Sequence, residues 1–180
     1  MKKTAIIGSV GIPANYGGFE TLTEQLAIQL QERFEITVYC SKSAFKTHPE
    51  KIQNIRLKYL PLKANGIQSI LYDMLSIFNA ITYADSLLIL GVSGCTLLPF
   101  LRLFGCRKKI VVNIDGIEWK RAKWSGFARW FLRFSEKCAV KYSDVVIGDN
   151  QVITDYVKAT YGKHCELIEY GADNKKLEAK

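Results

Sequence analysis

The 180-residue chain has no close cysteine pair and only two histidines. Cys40, Cys95, Cys106, Cys138 and Cys165 are odd in number and widely scattered. None has the spacing of a zinc or dithiol redox motif, so the chain reads as a cytosolic protein with reduced thiols and no metal centre. His48 and His164 stand far apart in polar surroundings and read as surface residues. Long hydrophobic runs are also missing. The longest uncharged stretch, Ser86 to Leu101, is interrupted by Gly91, Gly94 and Pro99 and falls short of the ~20 residues of a membrane span. Met1-Lys2-Lys3 resembles the start of an export signal, but Gly8, Gly11 and Pro13 break the apolar segment behind it, so export is not expected. The dinucleotide fingerprint G-x-G-x-x-G is absent. Gly8-Ser9-Val10-Gly11 has another spacing, and the second expected strand ends Val38-Tyr39-Cys40-Ser41 without an acid to hold a ribose. The phosphate loop ending in Gly-Lys-Ser/Thr is absent too. There is no internal repeat, linker or low-complexity segment.

Hydrophobic residues make up 48% of the chain and charged residues 23%, with a net charge of +8. That composition fits one globular domain, and the positive excess suggests an anionic partner: nucleic acid, phospholipid or a phosphorylated substrate. Short apolar runs alternate with segments of helical period from end to end. Strands are expected at 4–7, 35–40, 55–60, 86–90, 109–114, 144–148 and 166–169. Helices are expected at 21–33, 66–83, 96–104, 123–142 and 150–161. This order predicts a three-layer, Rossmann-like α/β domain with a mainly parallel sheet. In the second helix Ile70, Leu71, Met74, Leu75, Phe78 and Ile81 share one side, which predicts its core stripe.

The organising stretch is Gly8 to Glu20, where the first strand empties into a glycine-rich loop and then a helix. Gly8, Gly11, Gly17 and Gly18 allow close backbone approach, and a helix start offers free N–H groups, so an anionic or sugar ligand is expected there. The plain alternative is a tight strand-to-helix connection. For Glu20 the choice lies between binding a hydroxyl and favourable charge in a first helical turn. Ligands of such sheets bind beyond the carboxyl ends of the strands. The Gly17-Gly18 loop, Gly91 to Gly94, and Asp115-Gly116 should therefore share one rim. Asp149-Asn150 is read as the cap of the last helix.

Trp119 to Phe134 is the most unusual segment, basic and aromatic together. Trp124, Phe127, Phe131, Phe134 and Cys138 recur at helical spacing and are expected in the core. Lys120, Arg121, Lys123, Arg129, Trp130 and Arg133 are left for the outside. Basic side chains beside tryptophan suit an anionic membrane surface or a lipid-linked diphosphate. A solvated basic face over an ordinary core stripe explains them equally well. Nucleic acid is not expected, because no recognised module accompanies the charge.

Pro13 to Glu20, Asp115-Gly116-Ile117-Glu118-Trp119-Lys120-Arg121 and Tyr170-Gly171-Ala172-Asp173 resemble the N-terminal domain of GT-B glycosyltransferases. Within them the chain is most similar to family 4 retaining enzymes of the bacterial rhamnosyltransferase kind. The resemblance covers 1–173 and leaves 174–180 as a charged tail at the interdomain hinge. It implies an acceptor-side domain that helps move a sugar, with rhamnose expected, from a nucleoside-diphosphate donor to a lipid-linked or glycan acceptor in cell-surface polysaccharide synthesis. By position it implies that Gly17 and Gly18 lie against donor diphosphate and acceptor. Asp115 stands where many members carry a histidine that touches the transferred sugar, and is the candidate catalytic residue. Gly116, Glu118, Lys120 and Arg121, with Glu20, would bind substrate. Lys123, Arg129, Trp130 and Arg133 would meet the membrane or an anionic acceptor. No cofactor is implied beyond the nucleotide sugar as substrate, and no metal. The family's second, donor-binding domain has no counterpart in this sequence, so the chain alone is expected to be inactive, with that domain supplied in cis or in trans. Its expected place is the cytoplasm, with peripheral contact to the inner membrane face. A non-catalytic module binding an anionic or lipid-linked glycan is the alternative.

Overall fold

The computed structural model describes residues 1–15, 17–114, 116–120, 124 and 126–169. Strand β1 is Lys2–Ile7, and its alternation decides the layering. Ala5 and Ile7 enter one apolar cluster, while Ile6 enters another on the opposite side of the sheet. The expected polar connections and breaker residues then mark off β2 (Phe34–Ser41), β4 (Ile55–Leu60), β5 (Ser86–Leu90), β6 (Lys109–Ile114), β7 (Val145–Gly148) and β8 (Glu166–Leu167), and a short strand outside the expected set, β3 (Lys51–Ile52), precedes β4. The helices are α1 (Gly18–Leu30), α2 (Gln68–Ala80), α3 (Leu98–Leu103), α4 (Gly126–Tyr142) and α5 (Gln151–Tyr161).

The strands form one sheet in the order β3-β4-β2-β1-β5-β6-β7-β8. Every pairing is parallel except the short β3–β4 hairpin at one edge. Parallel strands need both faces covered. Ala27 of α1 closes one face with Ile6, Ile36, Val38, Ile55 and Leu57. On the other face α2, α3, α4 and α5 contribute Tyr72, Ile77, Leu98, Ala139, Ile153 and Val157. Each large aliphatic side chain buried this way stabilises the fold by about 1.5–3 kcal/mol.

Two helices turn differently from their apolar periodicity. In α2 the buried residues are Tyr72, Asp73, Ser76, Ile77 and Ala80, while Leu71, Leu75 and Phe78 are 49–61% exposed. In α4 the buried set is Leu132, Ser135, Glu136, Cys138, Ala139 and Val140. Phe127 and Phe134, expected in the core, lie outside at 76% and 47% exposure. Small residues let these helices sit close to their neighbours, and polar ones find local acceptors. Ser76 Oγ donates to the Tyr72 carbonyl, and the Ser135 hydroxyl donates to the Val92 carbonyl. Glu136, fully buried, accepts from the Tyr156 and Tyr161 hydroxyls at 2.6 Å each.

Several ends are fixed by single side chains. Arg102 Nη2 meets Asp144 at 2.7 Å, and Arg102 also donates to the carbonyls of Cys106, Lys108 and Tyr142. Burial would raise the Asp144 carboxyl, but the Ile110 N–H and the Arg102 guanidinium outweigh it and hold it below its ordinary range. Asn150 caps α5, accepting from Ile153 N at 3.0 Å, and Gly162 ends that helix in the left-handed conformation. The expected cap is therefore the observed one. Asn150→Ala should lower stability by about 1 kcal/mol in urea unfolding, and a loss under a few tenths would deny the cap that role. His48 lies at the surface beside Tyr59, and the five cysteines are all free.

Candidate functional site

The chain leaves β1 toward β2 on one side, whereas β5 continues the sheet on the other. Reversal of strand order opens a crevice at the carboxyl ends of the two strands. Here that crevice is a cleft of about 650 Å³, within the range of about 300–1,000 Å³ usual for small-molecule sites. Its floor is Gly8, Leu90, Gly91, Val92, Ser93 and Ile114. One wall comes from the start of α1, another from 64–70 and Asp73, and a third from Gly116, Glu118, Trp124 and the first turns of α4. The three glycine-bearing loops expected on one rim are thus brought together through Gly18, Gly91 and Gly116.

Backbone close packing makes the floor. Gly8 has φ +99°, and a Cβ there would lie 2.0 Å from the Leu90 carbonyl oxygen. Gly94 sits so close to α2 that a Cβ would approach Asp73 Cβ to 2.6 Å. Side chains then brace the loops. Tyr72 Oη donates to the Ser9 carbonyl at 3.1 Å, and Glu20 accepts from Val10 N at 2.9 Å. Glu118 accepts from Trp124 Nε1 at 2.9 Å, joining the third wall.

Asp73 stands out chemically. It is 4% exposed yet lines the cleft. Among the described residues its one hydrogen-bond donor is the Ser93 hydroxyl. Burial pushes its carboxyl up to about 7, only partly offset by that hydroxyl. No described lysine, arginine or histidine lines the cleft. Its described surface pairs three acids, Glu20, Asp73 and Glu118, with Phe19, Trp124, Phe127 and Phe131. That mixture can accept hydrogen bonds from hydroxyls and stack on the apolar face of a ring.

Of the expected binding residues, Gly18, Glu20, Gly116 and Glu118 line the cleft, while Gly17 and Lys120 do not. Lys120 instead lies 5.4 Å from the centre of the Trp119 ring, which Arg133 also approaches at 5.2 Å. Arg129, Trp130 and Arg133 are exposed as expected, with Trp130 stacked on Phe134 at 6.0 Å. Asp115, Arg121 and Lys123 lie outside the described residues, as does the Tyr170 to Asp173 segment. Sequence reasoning missed Asp73 and Ser93, and placed Trp124, Phe127 and Phe131 in the core rather than on the cleft wall. The available signal for Asp73 was a lone acid among Ile70, Leu71, Met74 and Leu75.

The same architecture occurs in solved structures. A sucrose-phosphate synthase from Thermosynechococcus elongatus superposes with a TM-score of 0.74 at 15% identity, covering 96% of this chain and 49% of that one. The chain therefore spans about half the length of that structure. A shorter sucrose-phosphate synthase structure from the same organism gives 0.65 at 14% identity, with 96% and 91% covered. At these identities the likeness establishes the fold. Among curated proteins no match is found. The profile of the Domain of unknown function (DUF1972) matches residues 1–173, and the chain belongs to that family.

Proposed function

We propose that the chain is the acceptor-side domain of a retaining GT-B glycosyltransferase of the family 4 type. The observation that carries this reading is the cleft at the strand-order reversal, floored by glycine loops and lined by aromatic and carboxylate side chains. The structural likeness to sucrose-phosphate synthase supports it, because that protein is named for the synthesis of a sugar phosphate. The sugar moved is rhamnose, from a nucleoside-diphosphate donor to a lipid-linked or glycan acceptor of the cell surface.

In this reading Gly18, Glu20, Gly116 and Glu118 place the acceptor, and Asp115 touches the transferred sugar. The acceptor oxygen forms the new bond to the anomeric carbon on the face from which the diphosphate departs. The leaving phosphate takes the acceptor's proton, and charge on the diphosphate is stabilised by a second domain in the complete protein. The exposed Arg129, Trp130 and Arg133 give α4 a face suited to an anionic membrane surface at the cytoplasmic side. Among the described residues no helix is long and apolar enough to cross a membrane.

The test uses the complete natural protein, a nucleoside-diphosphate rhamnose and membranes from its own cells as acceptor source. Rhamnose should be incorporated with its anomeric configuration kept. Asp115→Asn should reduce the rate by about tenfold or more, the scale of one lost transition-state contact. Incorporation at the unaltered rate in that variant would remove Asp115 from the site. No transfer from any nucleotide sugar would leave a binding module as the function.

A further inference from the structure

Among the described residues that line the cleft, Asp73 is the buried side chain whose hydrogen-bonding capacity the fold leaves partly unused. Glu20 holds the Val10 N–H and Glu118 takes the Trp124 indole, so both carboxylates have work within the chain. Asp73 is the most deeply buried of the three. It anchors no helix end and pairs with no described cation, and one of its oxygens accepts from no described residue. A buried carboxylate left this way is costly unless something supplies donors. It lines an open cleft of ligand size, beside the Gly91 to Ser93 backbone and opposite the aromatic wall of α4.

We propose that Asp73 is the specificity-determining residue of this cleft and selects an uncharged sugar, accepting hydrogen bonds from adjacent ring hydroxyls and excluding ligands that carry a carboxylate of their own. The proposal rests on the glycosyltransferase reading and names the acceptor sugar's chemistry. A hydroxyl pair brings two donors to a group that has one, and it keeps the carboxylate ionised in a site without a described cation. A uronic acid would set a second negative charge against Asp73 at low effective dielectric, where like charges repel strongly. The rings of Trp124, Phe127 and Phe131 are placed to take the apolar face of the same sugar.

A proton linkage follows. Ser93 and Cys95 of the β5–α3 connection and Tyr72 on the same helix are the described polar or titratable groups that act on or are acted on by Asp73, and Glu20 from α1 lines the same cleft. Burial pushes the Tyr72 phenol and the Cys95 thiol up, away from neutral pH. Sugar binding should therefore favour ionised Asp73, release a proton below neutrality, and tighten as pH rises through about 7.

The experiment titrates the chain with methyl α-L-rhamnoside, methyl β-D-glucoside and methyl β-D-glucuronide, following the amide resonances of Gly91 to Ser93. At least one neutral glycoside should shift them at millimolar concentration, and the glucuronide should not. Asp73→Asn should weaken the neutral glycoside by about tenfold or more, and its affinity should stay flat between about pH 5 and about pH 8. Ser93→Ala removes the one described donor to Asp73 and should move the pH midpoint upward. Folding of each variant is checked by circular dichroism. Equal binding of glucoside and glucuronide, unchanged binding by folded Asp73→Asn, or no binding of any glycoside would each overturn the proposal. Sugar transfer by the complete protein is scored separately. Transfer that persists alongside one of those results would sink the role of Asp73 and leave the enzymatic reading standing.

Discussion

Gly8→Val should leave little folded protein. The position has φ +99°, where a side chain is strained by about 1–3 kcal/mol. Steric overlap costs more than this strain. A Cβ at 2.0 Å from the Leu90 carbonyl oxygen, and 2.9 Å from its carbon, meets backbone rather than a side chain that can swing away. Relief requires β1 and β5 to separate, and these strands pair along Thr4 to Ile7 at the middle of the sheet. The combined loss should reach about 4 kcal/mol or more, a large part of the about 5–15 kcal/mol that holds a domain together. Gly18→Ala is the matched control, because its Cβ would meet nothing within 4 Å and alanine is the better helix former. Urea unfolding of both variants measures the contrast. A Gly8→Val protein with a wild-type midpoint would mean that the two strands do not approach as described.

Asp73→Asn should do the reverse and stabilise the domain. Burial raises this carboxyl from its ordinary 3.8 to about 7. The folded state therefore holds a proton that the unfolded chain releases. Below about pH 4 both states are protonated, and ionisation takes nothing from stability. Between about pH 4 and about pH 7 the cost grows, and above about pH 7 it is constant at roughly 4 kcal/mol, since each pH unit is worth about 1.4 kcal/mol. Asparagine fills nearly the same volume, can still accept from Ser93, and carries no charge. The stability difference between variant and wild type should thus rise from near zero in acid to roughly 4 kcal/mol at about pH 8. Asp144 contributes with the opposite sign. Its lowered carboxyl supports the fold above its ordinary range and loses that support as pH falls, but it is common to both proteins and cancels in the difference. A pH-independent difference would show that Asp73 is not buried as a carboxylate. A residue whose removal stabilises the fold is kept for another purpose, which is the stability–function trade-off expected of a binding site.

The sheet was largely legible in the sequence. Leu87 to Leu90 and Ile110 to Val112 are apolar runs at the centres of Ser86 to Leu90 and Lys109 to Ile114, which Gly91 and Asp115 close, and β5 and β6 coincide with those stretches. The β3 strand is only two residues long, too short to carry a period. The helices were legible in extent but not in orientation. Periodicity says that Leu71, Leu75 and Phe78 share a side, yet it does not say which side meets the sheet. That is decided by fit. Tyr72, Ser76, Ile77 and Ala80 face the core, and Leu71, Leu75 and Phe78 of α2, with Phe127 and Phe134 of α4, are left outside. Phe127, with the half-buried Ile70 and Phe131 and with Ile67 just before α2, lines the cleft.

The site divides the same way. Glycine loops at strand ends are local signals, so the meeting of Gly18, Gly91 and Gly116 at one rim followed from strand order alone. Asp73 reaches that rim from the middle of a helix 55 positions beyond Gly18. Its buried setting arises from Gly94 and Ser93 packing against α2. Nothing in the local sequence states that contact. Conversely, Lys120 belongs to a string that resembles a substrate loop, but its side chain is drawn to the Trp119 and Tyr156 rings.

Sugar transfer by the complete natural protein decides the glycosyltransferase assignment. The protein is supplied with radiolabelled nucleoside-diphosphate rhamnose and membranes from its own cells. Label should appear in a lipid-linked or glycan product with the donor's anomeric configuration retained. Inverted configuration in the product, or nucleotide sugar left intact by a folded complete protein, would contradict the assignment.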